Sequence, residues 1–379
     1  MKTELATLFA EFRSRASAPL PQGFLAARPL FIYGAGGTGK AVHEVLVDAG
    51  YAPDCFLDAA AKPDASWLGI PVFRPDDPAI TEAQRQTGRV IIGVFNTNSE
   101  VPPIIAKLRA LGYGQIATFV DFHAAFSVAL GDRYWLTARS FYLDHLERCI
   151  AVQELWSDQQ SRALYEATLR FRLLGDYDAF PASTPTDQYF PDDLPGHRQP
   201  LRFVDCGAYR GDTLQQALSK NLVLQAVAAF EPDDCNFAAL SAYTQEQRTA
   251  LPKDVFLFPC GVDGATRKVG FVSGQGAASR VDRSGNTVVQ CTSIDEAIPG
   301  FSPTLIKMDI EGAELAALHG ARRTITEHRP ALAICVYHRP AHLWQIPQLL
   351  ANLYGDRATY HLRSHGWNGF DLVMYVRPR

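Results

Sequence analysis

Residues 203–213, Phe203-Val204-Asp205-Cys206-Gly207-Ala208-Tyr209-Arg210-Gly211-Asp212-Thr213, hold the most informative pattern in the chain. An apolar run closes on an acid, a Gly-x-x-x-Gly turn follows, and a helix opens at Asp212-Thr213. A dinucleotide loop would read Gly-x-Gly-x-x-Gly and bring a helix end to an anionic diphosphate. Here Asp205 and Asp212 bracket the turn and would repel a diphosphate. They suit a cationic ligand instead, which Asp205 or the turn carbonyls can face. The next apolar strand, Ala226 to Phe230, ends in Glu231-Pro232. Glu231 stands 26 positions after Asp205, one strand–helix–strand repeat later. A carboxylate at that strand end can accept hydrogen bonds from both hydroxyls of a ribose. Taken alone, each acid also reads as a helix cap, Asp212 in particular.

Working outward, residues 201–379 alternate strand and helix. Strand candidates are LRFVDCG, LQAVAAFE, VFLFPCG, TLIKMDI and ALAICVY, near-continuous apolar runs of the kind covered on both faces. TYHLRSH and DLVMYVR follow, separated by the turn GWNG, and read as an antiparallel hairpin at the sheet edge. S-adenosylmethionine carries an ammonium, a sulfonium and a ribose, so an acid-bracketed turn followed by a strand-end Glu marks a class I methyltransferase sheet.

Residues 29–125 alternate in the same way and predict a second Rossmann-like, doubly wound α/β sheet. PLFIYGAGG, DCFLD, GRVIIGVF and IATFVDF are its strands; KAVHEVLVDAG and PPIIAKLRALGYG are its helices. Gly34, Gly36 and Gly39 satisfy GxGxxG between a strand and a helix, and Asp58 follows about 20 residues on, where it can meet a ribose. The same loop is nearly a phosphate-binding P-loop, but Ala41 stands where Ser or Thr must ligate Mg²⁺, which argues against a kinase or ATPase. The bland alternative is that these glycines only let the helix pack on the sheet. Residues 1–28 read as a lead-in helix with Leu5, Leu8, Phe9 and Phe12 on one face. Residues 126–200 read as a helical connector (HLERCIAVQELWSDQQSRALYEATLRFRLLG) and a linker with five prolines from Pro181 to Pro200.

Composition narrows the class. With 379 residues and roughly 150 per domain, two or three domains are expected. Lys+Arg 36 against Asp+Glu 40 leaves a net charge of −4, without the basic footprint of a nucleic-acid binder. Seven cysteines show no CxxC pair, which predicts buried, reduced thiols. No apolar run reaches membrane-span length and the first residues lack a signal-peptide pattern, so a cytoplasmic protein is expected.

The segments FVDCGAYRGDTL, AAFEPDDCNFAAL, TLIKMDIEGAELAALHGA and RPALAICVYHRPAHLWQIPQLL, in that order, resemble the FkbM family of S-adenosylmethionine-dependent methyltransferases. The likeness runs from about Tyr189 to the C-terminus. It implies O-methylation of a hydroxyl on a sugar, glycan or related natural product, a small-molecule or glycan acceptor, and cofactor contacts at Asp205, Gly207, Ala208, Tyr209, Gly211, Asp212, Thr213, Glu231 and Pro232. In the first half, YGAGGTGKAVHEVL with PDCFLDAAAKPDASWLGIPVF is similar to the N-terminal domain of acyltransferases acting on UDP-sugars. It implies a nucleotide or nucleotide-sugar pocket at Gly34, Gly36, Gly39 and Asp58; the hexapeptide-repeat half of those enzymes is missing.

Methyl transfer to an alcohol needs an aligned nucleophile and a group that takes its proton. Asp309, at the end of TLIKM, and His338, at the end of ALAICVY, are the candidates. His338 has the better unperturbed pKa and Asp309 the better place by family resemblance. Asp309 and Glu311 also read as first-turn acids of the helix EGAELAALHG, and His365 as an exposed loop residue. GQGAAS, residues 274–279, reads as a Gly-rich flap. No metal site is expected. The competing reading is an NAD(P)-linked oxidoreductase, or a nucleotide-sugar-binding protein, using the first glycine loop.

Overall fold

The computed structural model describes residues 7–10, 20–178, 180, 188–194, 199–272, 280–281 and 287–379. They form two compact units. The first comprises Met1–Ile150, Leu164–Ser183 and Gly366–Phe370; the second comprises Ala151–Ala163, Thr184–His365 and Asp371–Arg379.

In the first unit, strands β1 (Leu30–Tyr33), β2 (Cys55–Leu57), β3 (Ser66–Trp67), β4 (Ile70–Phe73), β5 (Arg89–Ile92) and β6 (Gln115–Ala117) form one sheet in the order β3-β4-β2-β1-β5-β6. All neighbours are parallel except β3 and β4. β1 is central because its four residues are all buried, and Phe31 and Tyr33 pack with Leu57, Val90 and Ile92. The β3–β4 hairpin turns on Leu68 and Gly69, both at positive φ (51° and 81°), the geometry of a two-residue turn that matches strand twist. IATFVDF, expected as one strand, stops at Ala117. Thr118 and Asp121 then form a reciprocal capping box, and Phe119–Ala125 is helical.

The expected long helix is broken in two, Leu146–Gln153 and Gln159–Leu174. Asp158 supplies the second start, its carboxylate accepting the Ser161 N–H at 2.6 Å. Of the N-terminal helix, residues 7–10 are helical, with Leu8 and Phe9 buried; Leu5 and Phe12 lie outside the described residues.

The second unit holds two sheets. β7 (Leu201–Cys206), β8 (Leu224–Phe230) and β9 (Asp254–Phe258) come first. Next, β10 (Gly261–Val262), β11 (Arg267–Val272), β12 (Arg280–Val281) and β13 (Thr287–Thr292) form a small sheet in the order β10-β13-β11-β12. Its pairing was not legible in the sequence, and the expected flap at 274–279 lies outside the described residues. β14 (Leu305–Met308), β15 (Ala331–Cys335), β16 (Ala358–Ser364) and β17 (Leu372–Pro378) complete the main sheet, ordered β16-β17-β15-β14-β7-β8-β9. β15, β14, β7, β8 and β9 run parallel; β17 runs antiparallel to β15 and to β16, which is the expected edge hairpin. This is the class I methyltransferase arrangement. The chain leaves β7 toward β8 on one side and returns through β14 on the other. That reversal opens a crevice at the carboxyl ends of β7 and β14, where ligands of open α/β sheets bind.

Candidate active site

Two clusters meet at this rim. The first begins where β7 ends. Gly207 has φ of 78°, and a Cβ there would lie 2.0 Å from the Asp309 carbonyl oxygen, so only glycine lets the turn pass the end of β14. Asp205 is fully buried and pairs with Lys307 of β14, Nζ to Oδ1 at 3.0 Å. Burial pushes the Asp205 carboxyl up to about 6, against the pull of Lys307. Burial would lower the Lys307 ammonium, but Asp205 and Asp309 hold it above its ordinary value. Its Nζ also donates to the Gly207 carbonyl at 2.6 Å and lies 5.0 Å from the centre of the Tyr189 ring. The ion pair thus ties the glycine turn to the neighbouring strand.

Glu231 closes β8 almost fully buried. Its Oε2 accepts the Tyr209 N–H at 2.9 Å and its Oε1 accepts the Asp233 N–H at 3.0 Å. Tyr209 takes positive φ (47°) to present that N–H. The Asn236 side chain also hydrogen-bonds this carboxylate, which keeps a remaining lone pair for a ribose hydroxyl. Burial raises the Glu231 carboxyl to about 7, with the two N–H groups opposing. Pro232 is half-buried beside it, and Ala208 is buried. Gly211 precedes the helix Asp212–Ser219, where Asp212 is exposed and Thr213 buried. The Thr213 hydroxyl finds no hydrogen-bond partner among the described residues. An orphaned hydroxyl and an under-used carboxylate beside an acid-bracketed turn fit a polar, ribose-bearing cation.

The second cluster lies at the ends of β14 and β15. His338 is buried, with Nδ1 2.8 Å from Glu314 Oε1 and Nε2 3.3 Å from Asp309 Oδ1 and 3.6 Å from Glu311 Oε1. Glu314 is fully buried; its Oε2 faces His342 Nδ1 at 3.3 Å, and its Oε1 accepts the Ile310 N–H at 2.9 Å. Burial would raise the Glu314 carboxyl, but the two histidines hold it well below its ordinary value. Conversely, burial would lower His338, and Glu314 and Glu311 raise it well above. The surrounding carboxylates therefore favour the protonated imidazole. Asp309 Oδ2 accepts the Tyr189 O–H at 2.6 Å.

Two expectations are corrected here. The helix begins at Glu314, so Asp309 and Glu311 belong to the loop before it; Glu311 has φ of 54° and Gly312 of 101°, which no first turn allows. His365 is buried, its Nε2 2.7 Å from the Tyr375 hydroxyl, rather than loop-exposed.

In the first unit, the glycine loop is closed by Asp58, which accepts the Ala35 N–H at 3.0 Å and the Ala60 N–H at 2.8 Å. A Cβ at Gly39 would fall 2.0 Å from the Gly34 carbonyl oxygen, so that glycine serves helix–strand packing. At Gly36, by contrast, a Cβ would meet nothing within 4 Å. The helix Gly37–Asp48 starts there without a side-chain cap, leaving its N–H groups open to an anion.

Residues 205–363 match the methyltransferase FkbM domain. Residues 29–99 match the PglD N-terminal domain. A crystal structure of a methyltransferase FkbM from Methylobacillus flagellatus superposes with a TM-score of 0.80, covering 98% of this chain and 99% of that one at 21% identity. At that identity the likeness concerns the fold. An rRNA methylase from Streptococcus thermophilus has a TM-score of 0.29 and 12% identity, covering 46% of this chain and 85% of that one. No curated protein matches the chain.

Within residues 205–363, Asp205, Gly207 and Glu231 gather on one side of the rim and Asp309 and His338 on the other. Sequence reading missed Lys307, Glu314, His342 and Tyr189 as members. Lys307 had a local signal, a lone charge in an apolar strand. Tyr189 had none: it lies 120 residues from the carboxylate it meets.

Proposed function

We propose that the FkbM-type domain transfers a methyl group from S-adenosylmethionine to a hydroxyl of a sugar, glycan or related natural product. The observation that carries this reading is Glu231, a buried strand-end carboxylate whose two oxygens already hold the N–H groups of Tyr209 and Asp233 and still face the turn built on Asp205 and Gly207. The family match over 205–363 supports it.

When bound, S-adenosylmethionine supplies a sulfonium methyl group; the acceptor oxygen forms the new C–O bond as the S–C electron pair returns to sulfur. Asp309 takes the hydroxyl proton in this reading. His338, whose protonated form Glu314 and Glu311 favour, is no base in this reading. It positions Asp309 and offsets its charge. Tyr189 fixes the other carboxylate oxygen and leaves the Asp309 side chain one orientation.

Tritium transfer from labelled S-adenosylmethionine to a panel of saccharide and nucleotide-sugar acceptors tests the reading, with Asp309→Asn as the inactive control. Transfer to none of them, together with no binding of S-adenosylhomocysteine, would sink it. In the first unit, the open space at Gly36 and the uncapped helix start favour a nucleotide or nucleotide-sugar over a purely structural loop.

A further inference from the structure

A cleft of about 140 Å³ lies within the first unit, and neither glycine loop lines it. A cavity of roughly this size admits one benzene ring. Its walls include the rings of Phe171, Tyr177, Phe180 and Trp367. Phe171 meets Tyr177 at 4.7 Å between centroids and Phe180 at 5.2 Å, with interplanar angles of 71° and 44°. These three rings therefore stand as angled walls rather than a stack. The rest of the lining disfavours an anion. No Lys, Arg or His lines the cleft. Glu100 does; it is exposed, precedes the helix Val101–Ala110, and makes no hydrogen bond or ion pair among the described residues. Pro102 and Pro103 in the first turn of that helix lack the N–H groups that would hold a phosphate. Asn368 adds a buried acceptor. It is only 4% exposed, and its Nδ2 donates to the carbonyls of Asn96 and Ser99 at 2.7 and 2.8 Å. Both amide hydrogens are thereby used, and turning the amide over would set its oxygen against two carbonyls. Oδ1 accepts no hydrogen bond among the described residues, and Asn368 lines the cleft.

We propose that this cleft binds a small protonated amine whose body is a single ring or a short apolar chain. The Glu100 carboxylate answers the charge, the aromatic walls take the body, and Asn368 Oδ1 accepts an N–H or O–H from the ligand. Aromatic faces attract a cation, more strongly where water is excluded. A neutral ring of the same size would leave the carboxylate unused, and an anion would meet it head on. The site depends neither on the methyl-transfer reading nor on a nucleotide at the first glycine loop.

The test titrates the full chain by calorimetry with three probes of one size: phenethylammonium chloride, neutral 2-phenylethanol and sodium phenylacetate. The ammonium should bind at one site per chain, about tenfold or more tighter than 2-phenylethanol, and phenylacetate should not bind. Glu100→Gln should remove the preference for the ammonium and leave the affinity for 2-phenylethanol unchanged. That side chain is exposed and caps nothing, so the variant should keep the wild-type melting temperature. Trp367→Ala should weaken both the ammonium and 2-phenylethanol. It leaves the Trp367 main-chain N–H bond to the Thr97 carbonyl, at 3.0 Å, in place. Absence of saturable ammonium binding at millimolar probe overturns the site. So does equal affinity for the ammonium and the alcohol, which would mark an apolar cleft without charge selection. A preference for the ammonium that survives Glu100→Gln, or full affinity in Trp367→Ala, overturns the assignment to this cleft.

Discussion

Replacing Glu231 by Gln isolates one bond's worth of cofactor recognition. The carboxylate now accepts two backbone N–H groups, from Tyr209 at 2.9 Å and Asp233 at 3.0 Å, and a side-chain hydrogen bond from Asn236, and keeps a remaining lone pair for a ribose. A glutamine keeps one acceptor oxygen and turns an NH₂ toward the other N–H. It must lose a backbone partner or a ribose hydroxyl. A hydrogen bond to a charged group is worth about 1.5–3 kcal/mol. The dissociation constant of S-adenosylhomocysteine should therefore rise roughly 10- to 150-fold, at about 1.4 kcal/mol per decade. Titration calorimetry reads this directly. The pH dependence adds an internal check. Burial raises the Glu231 carboxyl to about 7, and the ionised form is the better acceptor, so wild-type affinity should climb as pH rises through that value. The variant has no group to titrate there and should lack the climb. Stability moves the opposite way: the unfolded carboxyl titrates near about 4.3, so the stability its raised pKa contributes is fully present below that pH and is lost as pH rises toward about 7. Equal affinity in both proteins, or an identical pH slope, would refute the ribose role.

Asp309→Asn should lower kcat by about 10²–10⁴-fold without releasing cofactor; a kcat that stays at wild-type level removes Asp309 as proton acceptor. Lys307→Met leaves Asp205 buried and unpaired and should cost about 3–5 kcal/mol in urea unfolding, with Asp205→Asn in the same chain restoring part of it. Gly36→Val should abolish nucleotide binding to the first unit while leaving its melting temperature intact, because a Cβ there meets nothing. Gly39→Ala should destabilise that unit by about 1–3 kcal/mol through overpacking; a Gly39→Ala protein as stable as wild type would contradict the close approach to Gly34.

The sequence by itself determined the two α/β sheets and the edge hairpin. Apolar runs ending in glycine turns depend on backbone periodicity and on glycine's freedom at positive φ, both of which are local. The same locality made the turn at Asp205–Gly211 and the strand-end Glu231 legible. It misled at IATFVDF, where Thr118 and Asp121 outbid strand propensity with a capping box, and at Asp309 and Glu311, which look like first-turn acids until positive φ at Glu311 and Gly312 excludes it. The tertiary structure alone decided how charge is distributed at the rim. Whether His338 is a base or a clamped cation depends on Glu314 at 2.8 Å, and Asp309 is oriented by a tyrosine 120 residues away. Electrostatic roles follow distance and burial, and both arise only when strands far apart in sequence are brought side by side.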